Sequence, residues 1–117
     1  MNISRGDIVL VDYPFSDRTG SKVRPALVVQ TDTLNRRITD TILAAVSRST
    51  HRASATQLFS DISTPEGGQT GLRQNSMIQC ENLLTYDQRL AIAKIGKLSG
   101  PLMERINNCL KAALDLP

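Results

Sequence analysis

Arg24 stands immediately before Pro25, at the head of the apolar run "RPALVVQT". Proline disfavours the helical region for the residue before it, so Arg24 is held extended. Proline at the first position of a strand costs no ladder donor. A guanidinium leaving the backbone at a restrained angle suits a phosphate or a carboxylate, whose two oxygens its planar fork can grip. Ser47 is the first polar residue after "ILAAV". It can donate to a phosphoryl oxygen or a leaving alkoxide, or serve a nearby backbone group as strand-end serines do. Glu81 closes the run "SMIQC". It can orient Arg24 or accept a proton, and it can equally stand in solvent. His51, the one histidine, lies in a polar loop as at most an auxiliary donor.

These residues meet only if the elements between them bring them together. "DIVLVDY" (Asp7 to Tyr13), "RPALVVQT" (Arg24 to Thr31) and "TILAAVSR" (Thr41 to Arg48) read as strands. Consecutive strands with short links pair as antiparallel neighbours by default. The end of the first and the end of the third then both lie beside the start of the second. Tyr13, the loop Pro14 to Val23, Arg24, Ser47 and "RSTHR" share one rim. Arg18, Lys22, Arg24, Arg48 and Arg52 gather there with His51, against Asp17 alone. Such a cluster suits phosphate contacts, and an ordinary solvated barrel edge carries the same pattern.

Further along, "ATQLFSD" (Ala55 to Asp61) reads as an edge strand, "SMIQCENL" (Ser76 to Leu83) as a fifth strand and "AIAKIGKL" (Ala91 to Leu98) as a sixth. "DTLNRRITD" reads as a polar connection and "ISTPEGGQTGLRQNS" as an exposed, turn-rich loop. "TYDQRL" suits one helical turn capped by Thr85. The tail "SGPLMERINNCLKAALDL" is a strong helix, with Ser99 as N-cap, Pro101 in the first turn, and Leu102, Ile106, Leu110 and Leu114 along one stripe. Short strands followed by a closing helix predict a small antiparallel barrel capped by that helix.

At 117 residues, one domain covering 1–117 is expected, with a core of Val, Ile, Leu and Ala, since there is no Trp and only two Tyr and two Phe. The net charge of +3 permits a polyanionic partner without requiring one. No apolar run reaches the roughly 20 residues of a membrane span, and "MNISRGDIVLVD" is too short a run for a signal sequence. A cytoplasmic protein is expected, with Cys80 and Cys109 reduced and buried as small hydrophobes. No cofactor is predicted: there is neither a metal-ligand spacing nor a G-x-x-x-x-G-K phosphate loop.

"RGDIVLVDYPFSD", "GSKVRPALVV" and "ILAAVS" closely resemble the MazF/PemK family of toxin endoribonucleases. "GLRQNSMI" and "LLTYDQRL" resemble the family's later segments through Gly71, Leu72, Ser76, Thr85 and Asp87. The resemblance implies an SH3-like barrel with a C-terminal helix (MazF/PemK/CcdB-like), working as a homodimer. It implies metal-independent cleavage of single-stranded RNA at short sequences, and a cognate antitoxin that blocks the RNA groove with a disordered segment. The family's catalytic arginine falls on Arg24, its strand-end Ser/Thr on Ser47, and an acid used in parts of the family on Glu81. Gln79 stands where some members carry an arginine, and the loop before the second strand lacks the Ser-Glu pair of several members. The residues facing RNA would be Tyr13, Arg18, Lys22, Arg48, His51, Arg52 and Gln79. Two other readings fit the same barrel: a binding module without chemistry, and a toxin that poisons a topoisomerase.

Overall fold

The computed structural model describes residues 2–15, 17–50 and 54–117; His51 and Arg52 lie outside them. Its strands are β1 (Asp7–Pro14), β2 (Ser21–Val28), β3 (Asp40–Ser47), β4 (Gln57–Ser60), β5 (Ser76–Asp87) and β6 (Ala93–Lys97). Its helices are α1 (Asp32–Arg37), α2 (Pro65–Gly68) and α3 (Gly100–Leu114). The strands form one antiparallel sheet in the order β4-β5-β3-β2-β1-β6. The near-continuous apolar runs of β1 and β3 have a simple cause: both faces of the sheet are buried. One face, with Ile8, Leu27, Val46, Leu58 and Ile78, packs on Leu102, Ile106 and Cys109 of α3. The other, with Val9, Val11, Ala26, Val28, Leu43 and Ala45, closes with Ile3, Leu84 and Tyr86.

The sheet curls toward this second face. The Tyr13 hydroxyl donates to Asn82 Oδ1 at 3.0 Å, linking β1 to β5. Those strands stand three places apart in the sheet order, about 14 Å in a flat sheet. The result is a curled half-barrel with α3 packed against it, as the strand pattern predicted.

The "RGD" triplet of the first signature is a fastening. Arg5 donates its backbone N–H to Asp32 Oδ1 (2.7 Å), Nε to the Val29 carbonyl (2.8 Å) and Nη2 to Asn107 Oδ1 (2.7 Å). Gly6 takes φ +98° and donates to the Val28 carbonyl, a conformation that favours glycine. Asp7 accepts from the Ser4 N–H and pairs with Lys94 at 3.3 Å.

Three local expectations are corrected. The polar connection contains α1, whose buried residue is Asn35 rather than an apolar one. Asn35 exchanges hydrogen bonds with Gln30 and accepts from Thr41, so a polar network docks the helix. Thr85 caps no helix: β5 runs on to Asp87 because Ile42, Thr41 and Asp40 pair with Thr85, Tyr86 and Asp87. Asp87 then caps a single 3-10 turn, Gln88–Leu90. The turn-rich loop is not simply exposed either. It holds α2, and Gly67 and Thr70 are buried.

In α3, Ser99 accepts from the Leu102 N–H and Pro101 sits in the first turn. Leu114 departs from the expected stripe and is 52% exposed at the helix end. Cys80 and Cys109 are free and buried in the α3-facing core. Burial, with Cys109 and Glu81 nearby, pushes the Cys80 thiol up to about 12, so it packs as a small hydrophobe.

Candidate active site

The ladder registers lay out the site. Val11 pairs with Arg24, Ser47 with Met77, and Met77 with Phe59. The last recorded pair between β2 and β3 at this end is Ala26 with Ala45. Arg24 and Ser47 each lie two residues beyond that pair, on the same face of the sheet as Ala26 and Ala45. Because side chains alternate, this row shares the concave face with Val11. The adjacent row runs Val9, Ala26, Ala45, Gln79, Gln57. Arg24, Ser47 and Gln79 are each half-buried. Among the described residues, nothing accepts a hydrogen bond or ion pair from the Arg24 guanidinium. Ser47 Oγ accepts the Ser49 N–H at 3.1 Å, which leaves its own proton available to a ligand.

Glu81 reaches this face through a break in the ladder. Ala44 pairs with Leu83 but Ala45 with Gln79, so Cys80, Glu81 and Asn82 have no partners on β3. Such a bulge re-aims side chains beside functional sites. The Glu81 carboxylate accepts from Thr56 Oγ1 (2.8 Å) and from Gln57 Nε2. Partial burial raises its pKa, but the bonds from Gln57, its own backbone N–H and Thr56 outweigh this and hold it below the usual glutamate range. It makes no ion pair with Arg24. Its hydrogen-bond partners are Thr56 and Gln57, and β3 stands between its strand and that of Arg24.

The remaining candidates surround this row. Tyr13 is buried, with its hydroxyl on Asn82, and burial raises its pKa. Its register partner Lys22 is exposed. Arg18 is exposed in the β1–β2 turn at φ +63°. Arg48 is exposed directly after β3. Asp17 is not the sole carboxylate here: Asp12, exposed and paired with Val23, lies at the same end. Sequence reasoning missed Thr56, Gln57 and Asn82. The hydrogen bonds of Thr56 and Gln57 to Glu81, and of Tyr13 to Asn82, reveal them. Among the described residues, no three His, Cys, Asp or Glu side chains group as a metal-binding set.

A family model of PemK-like, MazF-like toxins of type II toxin-antitoxin systems matches residues 4–114. The chain belongs to this family. Endoribonuclease EndoA of Bacillus subtilis is 30% identical over 117 residues, covering 99% of this chain and 97% of its own. Endoribonuclease MazF of Staphylococcus saprophyticus is 28% identical over 113 residues, covering 96% and 91%. A mycobacterial endoribonuclease solved in complex with its cognate antitoxin superposes with a TM-score of 0.78 at 23% identity, covering 98% of this chain and 97% of that one. A MazE-MazF structure from Deinococcus radiodurans gives 0.71 at 16% identity, covering 100% and 99%. The curled sheet with its C-terminal helix is thus the fold of solved PemK/MazF-like toxins. No helix among the described residues is long and apolar enough to cross a membrane.

Proposed function

We propose that this PemK/MazF-like toxin is an endoribonuclease that cuts single-stranded RNA by attack of the substrate's own 2′-hydroxyl. The observation that carries the reading is the Arg24 guanidinium, which no described residue engages, lying like Ser47 two residues beyond the Ala26–Ala45 pair. The 2′-hydroxyl already stands beside the phosphorus and needs alignment, deprotonation and charge neutralisation. Glu81, held ionised by Gln57 and Thr56, accepts the 2′-proton. The 2′-oxygen bonds to phosphorus, and Arg24 spans the non-bridging oxygens where negative charge accumulates. The P–O5′ bond breaks. The Ser47 hydroxyl meets the departing 5′-oxygen with a hydrogen bond, and solvent supplies its proton. Arginine is too weak an acid, with a pKa above about 12, to be the main proton source.

Lys22, Arg18 and Arg48 would hold flanking phosphates, with His51 and Arg52 after them in sequence. Gln79 would face the RNA beside the reactive row, and Tyr13 would shape the mouth through Asn82. A cytoplasmic homodimer, held in check by a cognate antitoxin whose disordered segment occupies the RNA groove, completes the reading.

Incubation of a defined RNA in EDTA, followed by mass spectrometry of the fragments, tests it. The expected ends are a 2′,3′-cyclic phosphate (or the 3′-phosphate it hydrolyses to) and a 5′-hydroxyl. A 2′-deoxy nucleotide 5′ of the cut should block cleavage and preserve binding. Arg24→Ala should lose about 2–4 kcal/mol of transition-state stabilisation with an almost unchanged thermal midpoint. A 5′-phosphate, or cutting of the deoxy substrate, would make water the nucleophile. Binding without cutting would make the chain a binding module.

A further inference from the structure

Behind the reactive row, on the other face of the same strand ends, lies a cleft of about 540 Å³. Its place follows from alternation. Arg24 and Ser47 stand on the concave face, so their neighbours Pro25 and Val46 turn the other way, and both line the cleft with Leu10, Leu72 and Ile95. The rim is cationic: Lys22, Arg48 and Arg73 border it, Arg24 reaches it too, and no carboxylate residue lines it.

The far wall is rigid. Gly71 takes φ +74°, and a Cβ there would lie 2.0 Å from the Ile95 carbonyl oxygen. The loop is therefore seated directly on β6. Buried Thr70 holds the loop's start, donating to the Gly67 carbonyl (2.6 Å) and accepting the Leu72 N–H (3.1 Å). Buried Ser76 holds its end by donating to the Gln74 carbonyl (3.0 Å). Arg73, exposed between these anchors, has no described partner.

We propose that this cleft is a nucleotide subsite: a base flanking the cut rests on Leu10, Pro25, Val46 and Leu72, and its phosphate is held between Arg48 and Arg73. The subsite rests on the endoribonuclease reading and adds the element that extends the RNA path beyond the scissile phosphate. The size suits a nucleotide, since ligand pockets run from about 300 to 1,000 Å³. The charge selects the occupant. A cationic rim around an apolar floor matches a phosphate next to a base, and a second copy bringing the same cations would be repelled.

The test compares a minimal oligoribonucleotide, trimmed to the nucleotides on either side of the cut, with the same oligoribonucleotide extended in each direction. Wild-type protein should cut one extended form with a lower KM than the minimal form. Arg73→Ala should raise KM for that form on the order of tenfold, leave kcat and the minimal substrate unchanged, and lower the salt slope of binding by about one. Arg73→Lys should restore part of the loss. No change in Arg73→Ala, or an equal loss on both lengths, overturns the subsite while leaving the endoribonuclease reading intact. A fall in mass by light scattering for Arg73→Ala overturns it in favour of a second copy in the cleft. Wild-type protein inert on every RNA overturns both readings.

Discussion

Glu81 shows how a side chain outside regular pairing acquires its chemistry. The hydrogen bonds from Gln57 and Thr56 favour its charged form and outweigh the partial burial that opposes it. A base with a lowered pKa is ionised at neutral pH, so it is ready to take the 2′-proton but takes it with modest driving force. If Glu81 is that base, kcat/KM should fall only below the ordinary glutamate value of about 4.3. In Gln57→Ala the favouring bond is gone and burial is less opposed, so the acid limb should move to higher pH. A pH–rate profile of the two proteins checks this, and identical limbs would remove Glu81 as the base. The stability linkage has the same sign. A carboxylate with a depressed folded pKa contributes stability above its unfolded pKa and loses it as pH falls through the folded one.

Among the elements, β6 is seated through missing atoms. A Cβ on Gly96 would stand 2.3 Å from the Thr70 carbonyl carbon and 2.4 Å from the Gln69 carbonyl oxygen. Both are backbone atoms, and Gln69 also accepts the Lys97 N–H at 3.0 Å. Gly96→Ala must therefore push β6 and the segment after α2 apart, at about 1–3 kcal/mol, the usual cost of overpacking. Gly100→Ala meets nothing within 4 Å, and at the start of α3 it should be neutral or mildly stabilising. Urea midpoints of the two variants test the contrast; equal midpoints would mean that the segment yields freely. The same scale explains why α1 was invisible in sequence. A helix docked through Asn35, Gln30 and Thr41 carries no apolar stripe to detect.

For the whole molecule, the question is what covers the apolar side chains left outside. Leu90, in the 3-10 turn, is 63% exposed, and Ile92, whose N–H donates to the Leu10 carbonyl, is 52% exposed. Both lie in the segment leading into β6, outside the cleft. A chain this small gains by burying such groups against a copy of itself. Light scattering should return about twice the chain mass of 12.8 kDa across micromolar concentrations, and a constant monomer mass would contradict it.

The sequence by itself determined the antiparallel pairing of the first three strands and the closing helix with its Ser99 cap, whereas β2 opens at Ser21, so that Arg24 and Pro25 lie inside it rather than at its head. Alternation and proline chemistry are local, so Arg24 before Pro25 and Ser47 after an apolar run can be read without coordinates. Only the tertiary structure decided the rest. Glu81 owes its direction and its partners to a bulge created by two ladders of different register. Thr85 lies in a strand because β3 pairs with it, against its local preference for a cap. Arg5 and Gly6 serve as fastenings because their partners are Val28, Val29, Asp32 and Asn107, residues remote in sequence. Arg73 faces a cleft because Gly71 lets its loop rest on β6. Each of these depends on which remote backbone lies alongside, and periodicity along one chain carries no record of that.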